Sequence, residues 1–210
     1  MPPPDDIVVR DLRPDDVDPA IDLLADAFLD FPALQVIAGS DAGARERMRR
    51  LFALEFEPER TATSAIVAES DAGVVGALTF VDSPACSTSS AGRMLRFARI
   101  AGPRLVRTVR LFGRIERAHP STPHRHLPTV GVAPALQGRG IGGALMGEYH
   151  RRCDSDGMAS YLETIRWTDD SRPSHERFYA RLGYRVSTVI AMAEAWSVLT
   201  MTRPARRAPS

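Results

Sequence analysis

Between Val130 and Gly143 the sequence reads Val-Gly-Val-Ala-Pro-Ala-Leu-Gln-Gly-Arg-Gly-Ile-Gly-Gly, and this segment holds most of its legible chemistry. A short extended stretch gives way to a proline turn and then to Gly138, Gly140, Gly142 and Gly143, where a helix begins. Such a helix has a first turn almost stripped of side chains. Its unpaired amides lie open, and glycine lets a phosphate approach the backbone closely. The helix dipole favours the same negative charge, and Arg139 can add a charge-assisted hydrogen bond. A pyrophosphate is the natural guest of this loop. Composition narrows the chemistry further. The chain has 210 residues and no lysine: all 27 basic residues are arginine, against 26 acidic ones, for a net charge of +1. Schiff-base catalysis, a lysine nucleophile and a GxxxxGK[ST] loop are therefore excluded. Near-neutral charge also argues against a dedicated nucleic-acid binder.

Gly138, Gly140 and Gly143 satisfy the G-x-G-x-x-G spacing of dinucleotide-binding folds, with Glu163 as a loosely placed acid downstream. The context is wrong for that reading. Pro134 to Gln137 separate the strand from the glycines, whereas that fingerprint follows its strand directly. Too little chain remains after Gly143 to complete a doubly wound sheet.

The elements that must hold this loop can be read from patterning. Ile7 to Arg10 form a strand, Pro14 opens a helix that Phe31-Pro32 stops, and a second helix runs from Ala42 to about Glu57. Residues 65–69 and 74–81 flank Ser70-Asp71-Ala72-Gly73 as a hairpin. After a loop at 82–90, residues 92–119 are helical with a break at Gly102-Pro103. Their apolar stripe is expected along Met94, Ala98, Ala101, Leu105, Val109 and Phe112. His126 to Val132 form a strand in which Pro128 cannot donate a hydrogen bond. A helix then runs to about Asp156, followed by a strand at 159–164, a helix at 175–182 and strands at 185–193 and 196–202. The alternation implies one α/β sheet. Cys86 and Cys153 show no metal-site spacing and are expected as reduced thiols, with Cys153 a packing residue. The MPPPDD start does not resemble a signal peptide, and there is no apolar run of about 18 residues, so a cytoplasmic protein without membrane contact is expected.

The run V-x-P-x-x-Q-G-R-G-I-G at 132–142 resembles the acetyl-CoA-binding motif of the GCN5-related N-acetyltransferase (GNAT) superfamily. Tyr161-Leu162-Glu163-Thr164 follows at the usual distance, and Phe178-Tyr179-Ala180-Arg181-Leu182-Gly183-Tyr184 is similar to the family's second signature. The resemblance covers roughly residues 6–203. It implies a single-domain acyl-CoA N-acyltransferase fold, α/β, with a mixed, twisted six- or seven-stranded sheet and helices on both faces. Residues 82–125 would be a loop and basic helical insertion, and 204–210 a disordered tail. Acetyl-CoA would be the co-substrate. The backbones of Val130 and Val132 would meet its pantetheine arm, and Gln137, Gly138, Arg139, Gly140, Gly142 and Gly143 its pyrophosphate. His175 stands where many relatives carry an asparagine that bonds the cofactor arm.

The implied reaction is direct attack by a primary amine of a small-molecule or peptide acceptor. Tyr179 matches the position that protonates the departing thiolate, a task suited to a neutral phenol. Glu163 and His126 are the candidates for the base. Asp30, Glu55, Glu57 and Asp82 are possible cation-recognition groups. His119, His124 and His126 have a conceivable metal spacing but no clear fourth ligand, so no metal site is expected. The eight arginines between 91 and 118 face a single acid, Glu116. They fit a solvated surface over a packed stripe, and they leave open an acyl-CoA sensor that binds a partner, or a regulator that uses this helix and Arg203, Arg206 and Arg207 on nucleic acid. Nucleic acid is the less favoured partner, and a monomer or homodimer is expected.

Overall fold

The computed structural model describes residues 6–57, 63–83, 91–169 and 175–206; the Pro2–Pro4 lead, Cys86 and Arg207 lie outside them. Seven strands form one sheet: β1 (Val8–Asp11), β2 (Thr63–Ser70), β3 (Gly73–Ser83), β4 (His124–Val132), β5 (Ser160–Trp167), β6 (Arg185–Ala193) and β7 (Trp196–Arg203). Their spatial order is β1-β2-β3-β4-β5-β7-β6. All neighbours are antiparallel except β4 and β5. The β2–β3 hairpin closes through Asp71 and Ala72, and Gly73 takes the positive φ of 97° that the turn requires.

Period-two alternation sorts the central strands to two covered faces. Ile66, Ala68, Leu78 and Phe80 pack with Leu145, Met146, Tyr149 and Cys153 of α6 (Ile141–Ser155). Val67 and Ala77 point the other way, onto Ala20, Ile21 and Leu24 of α1 (Val17–Ala27) and Met48 and Phe52 of α3 (Ala44–Ala53). A Cβ on Gly131 of β4 would come within 2.7 Å of Leu24 Cδ2 and 3.3 Å of Ala27 Cβ, so α1 seats against bare backbone there. The mixed seven-stranded sheet with helices on both faces is thus the fold that the resemblance implied.

Two expectations about helices change. Pro32 does not stop α1; it opens α2 (Pro32–Ala38) as its first residue, a position where proline's missing N–H costs nothing. In the insertion, α4 (Ala91–Ala101) and α5 (Leu105–Glu116) are joined by a 3-10 turn at Gly102–Arg104, as the Gly-Pro pair suggested. Their packed stripe, however, is rotated from the expected one. Of the expected residues Ala101 is buried and Leu105 packs beside it, whereas Met94 and Val109 are 56% and 57% exposed and Ile100, Thr108 and Leu111 are buried in their place. The helix pair rests on Ile37 of α2 and Leu54 after α3. Arg96 bonds Glu57 at 2.9 Å, Arg104 bonds Asp41 at 3.0 Å, and Arg114 donates to the Ala191 carbonyl of β6. Beyond β7, the backbone amide of Arg206 donates to Asp154, which also receives the Arg203 guanidinium in two bonds of 2.8 Å.

Under the β4–β5 junction a buried polar chain links α6 to the sheet. Tyr149 Oη donates to the Arg125 carbonyl at 3.1 Å and meets Ser160 Oγ at 2.8 Å; Ser160 meets Tyr184 Oη at 2.6 Å, and Tyr184 meets His150 Nε2 at 3.1 Å. Burial lowers the His150 pKa to about 4.

The close approach at Gly131 predicts that Gly131→Ala overpacks α1 against β4 and lowers stability by about 1–3 kcal/mol. Gly147, exposed on α6 with nothing near its added Cβ, predicts the reverse: Gly147→Ala should gain about 0.5–1 kcal/mol. Urea midpoints at constant m-value test both. His150 also predicts an acid-side loss of stability. Its folded pKa lies below the unfolded value, so the unfolded chain binds the extra proton as pH falls from 6.5 towards 4, and this group alone removes about 3 kcal/mol over that window. His124, also lowered by burial, acts in the same direction. Asp16 and Asp154, held at about 2 by Arg10 and Arg203, contribute only below pH 4. His150→Gln should flatten the slope of thermal midpoint against pH between 6.5 and 4.

Candidate active site

The only parallel pair in the sheet is also its shortest. β4 and β5 align at Arg125–Ser160, His126–Tyr161 and Leu127–Leu162, and then part. β4 continues along β3 as far as Val132, and β5 continues along β7 as far as Trp167. At the parting, Leu127 and Pro128 together oppose the single residue Phe80, because the register moves from Val81–His126 to Thr79–Thr129. This is a β-bulge, which bends its strand. Pro128, next in line, has no N–H to continue a ladder. The wedge between the strands opens into a cavity of about 1210 Å³ that runs from the glycine loop to the insertion helices.

The loop at its mouth is built as its sequence implies. Ala133 N bonds Val75 O at 3.0 Å, Pro134–Leu136 make a 3-10 turn, and Gly138 and Gly140 adopt φ of 76° and 87°. The first helical bond of α6 runs from Ala144 N to Gly140 O, which leaves the amides of Ile141, Gly142 and Gly143 without helical partners. Gln137, Gly138, Gly140, Ile141, Gly142 and Gly143 line the cavity, as do Val130 and Val132. A Cβ added at Gly138 or Gly143 would meet no protein atom within 4 Å. The chain therefore leaves bare backbone facing open space where a pyrophosphate would sit, and the residues fit acetyl-CoA. Arg139 is exposed and is not among the cavity-lining residues. Gln137 donates its side-chain amide to the Val132 carbonyl at 3.2 Å.

At the apex of the wedge, His126 Nε2 lies 2.7 Å from Glu163 Oε2, both side chains about one-fifth exposed. The two candidate bases are thus one hydrogen-bonded pair. The register explains it: His126 sits opposite Tyr161, and Glu163, two residues on, shares Tyr161's face. Burial pushes the Glu163 carboxyl up, but His126, the Tyr161 hydroxyl and His119 outweigh it, and the net shift is downward. His119, from the loop after α5, meets His126 edge to face with centroids 5.1 Å apart and Tyr161 likewise at 4.7 Å. One ligand atom each of His119, His126 and Glu163 lie within 4.8 Å of one another, a set able to hold a divalent metal once the direct His126–Glu163 bond opened. His124 packs against His119 at 4.7 Å and Tyr161 at 5.3 Å, while its Nδ1 meets the Thr122 carbonyl at 2.7 Å.

α7 (His175–Arg181) supplies the opposite wall. Tyr179 is buried, lines the cavity, and packs edge-on against Phe178 and Tyr184. Burial raises its pKa, so the phenol keeps its proton at neutral pH. His175 lines the same cavity, and burial lowers its pKa, which favours the neutral imidazole.

Of the acids considered for recognition, Glu55 lines the cavity, where its carboxylate accepts hydrogen bonds from Thr79 at 3.0 Å and Thr129 at 3.1 Å. Asp30 is exposed, Glu57 pairs with Arg96, and Asp82 pairs with Arg125 at 2.6 Å. The aromatic part of the wall, Phe28 and Phe31 from one side and Phe97 and Phe112 from the other, joins segments far apart in the chain and is not legible from local patterning. His119 was legible only within the His119, His124 and His126 spacing; its place beside both His126 and Glu163 comes from the return of α5 to the β4–β5 junction.

Comparison with known proteins bears on the family. The sequence profile of the acetyltransferase (GNAT) domain matches residues 61–186. Similar solved structures include a histone acetyltransferase HPA2 and related acetyltransferase from Corynebacterium glutamicum, 23% identical, covering 98% of this chain and 99% of that one with a TM-score of 0.69. A Drosophila melanogaster polyamine N-acetyltransferase, which forms N-acetylagmatine, is 19% identical over 95% of this chain and 100% of its own, TM-score 0.62. A PaiA N-acetyltransferase from Thermoplasma acidophilum in complex with coenzyme A is 13% identical over 94% and 98%, TM-score 0.57. These likenesses are of fold. The profile spans more than half of the sequence and takes in the glycine loop, the parted strands and α7: the chain belongs to the GNAT acetyltransferase family.

Proposed function

We propose that this protein transfers the acetyl group of acetyl-CoA to a primary amine by direct attack, with residues 6–203 as the N-acetyltransferase domain and 82–125 as an insertion in it. The observation that carries this reading is the placement of the His126–Glu163 pair at the apex of the same cavity that the bare backbone of Gly138–Gly143 opens onto. The coenzyme A complex of the Thermoplasma relative and the amine substrate of the Drosophila one support it. Acetyl-CoA supplies a thioester whose carbonyl is open to an amine nucleophile. The loop amides bind its pyrophosphate, and the edge of β4 freed beyond Leu127, at Val130 and Val132, meets the pantetheine arm. His175, neutral, lies against the same arm.

An amine arrives at neutral pH as an ammonium and must lose a proton before it attacks. His126 takes that proton, and ionised Glu163 holds the imidazole in position and stabilises its charged form. Tyr179 donates its hydroxyl proton to the departing sulfur and is restored by the second proton that the nitrogen sheds as the amide forms; its raised pKa keeps it in the donor form throughout the working range. No covalent enzyme intermediate is needed, and Cys153, buried under the sheet with its thiol pKa pushed up by burial, takes no part. Acetyl-CoA is an intracellular metabolite, which places the reaction in the cytoplasm.

Two outcomes are expected. Glu163→Gln, His126→Ala and Tyr179→Phe should each lower kcat by roughly 100-fold or more while calorimetric coenzyme A affinity holds. Retained coenzyme A binding with no turnover of any amine by the unaltered protein would favour an acyl-CoA sensor instead. A Cβ at Gly143 meets no protein atom within 4 Å, so Gly143→Leu places a side chain in the open space before the loop. It should weaken coenzyme A binding at least about tenfold, the loss of one or two hydrogen bonds to a charged group, with little change in thermal midpoint.

A further inference from the structure

The acceptor half of the cavity differs from its cofactor half in the kind of atom it presents. Away from the glycine loop, Phe28, Phe31 and Leu34 from the α1–α2 region face the same space as Met94, Phe97 and Phe112 from the insertion helices. Phe97 and Phe112 meet edge to face at 6.5 Å and 84°, and Phe28 and Phe31 do so at 5.4 Å and 74°. Met94 remains 56% and Phe112 39% exposed on this wall, apolar surface that the fold leaves open. The carboxylates of the cavity come from other places: Glu163 at the apex beside His126, Glu55 held by the Thr79 and Thr129 hydroxyls, and Glu116 near the end of α5. The charged neighbour of Met94 on α4 that also lines the space is Arg93, a cation.

We propose that the acceptor is a primary monoamine with an aromatic or long aliphatic body, its ammonium directed to the acids near His126–Glu163 and its body laid between the Phe28–Phe31 and Phe97–Phe112 walls. This rests on the acetyltransferase reading above and deepens it. A ring or alkyl chain leaves water for apolar surface there. A second ammonium, as in a diamine or an aminoglycoside, would instead lie against phenylalanine and methionine side chains, which offer it no hydrogen-bond partner. Phenylalanine is not the aromatic that best holds a cation, a role in which tryptophan excels.

The test uses the full chain with acetyl-CoA and measures free-thiol release for 4-phenylbutylamine, hexylamine, ethylamine, putrescine, agmatine and kanamycin, with acetyl-CoA binding followed by calorimetry. The two apolar amines should exceed putrescine, agmatine and kanamycin in kcat/KM by roughly 10- to 100-fold, the worth of one buried ring or chain. Phe112→Ser should lower the 4-phenylbutylamine to ethylamine ratio of kcat/KM about tenfold, a ratio that general loss of folded protein leaves unmoved. Preference for putrescine, agmatine or kanamycin, or an unchanged ratio in Phe112→Ser, overturns this inference and leaves the acetyltransferase reading standing. Acetyl-CoA bound with none of the amines turned over overturns the inference and the amine reaction together. Failure to bind acetyl-CoA overturns the proposed function at its root.

Discussion

The structure depends on a ladder that stops. β4 and β5 share three residue pairs and then separate, and everything that gives the protein a site follows from that interruption. A continued parallel pair would bury the backbone edges of both strands in each other and leave no wedge. The interruption is enforced locally, by a bulge that sets two residues against Phe80 and by a proline that cannot donate. It is also held from outside, since β3 and β7 pair fully with the two parted strands, so neither needs its missing neighbour to remain extended. The buried chain through Tyr149, Ser160 and Tyr184 ties α6 to the sheet just where the three pairs are made.

What the sequence revealed and what it hid divide along the range of the forces involved. The glycine loop, the hairpin turn and the break between α4 and α5 are decided by neighbours within a few residues, and each is where patterning put it. The strand expected at 159–164 is likewise found, as β5. Pro32 was ambiguous because proline both ends and opens helices; the choice was made by Ala33, Ile37 and Ala38, which had a surface to pack on. The rotated stripe of the insertion is a tertiary effect of a similar kind. Periodicity gives an apolar arc, and the position of α2 and α3 decides which part of it is covered.

The site shows the same division more sharply. His126 and Glu163 were separately legible as titratable groups near a strand, yet nothing local joins residues so far apart. Parallel register does so, by setting His126 against Tyr161 and thereby placing Glu163 beside the imidazole. Glu55 becomes distinct from Asp30, Glu57 and Asp82 only when two threonine hydroxyls from β3 and β4 are seen to hold it at the cavity wall. A carboxylate's neighbours, more than its position in the chain, decide whether it is surface or site.

The arginines of the insertion take on a different meaning beside this cavity. Arg96, Arg104 and Arg114 fasten the helix pair to Glu57, Asp41 and a β6 carbonyl, and lysine could have made such contacts as point charges. A lysine, however, carries the very group that the proposed reaction consumes, and it loses a proton far more readily than a guanidinium does. With arginine as its only basic side chain besides histidine, the chain presents no ε-amino group anywhere, even at the rim where an acetyl donor would be bound. It can use positive charge as structural cement without offering its own side chains as competing acceptors, and so is spared self-modification at lysine.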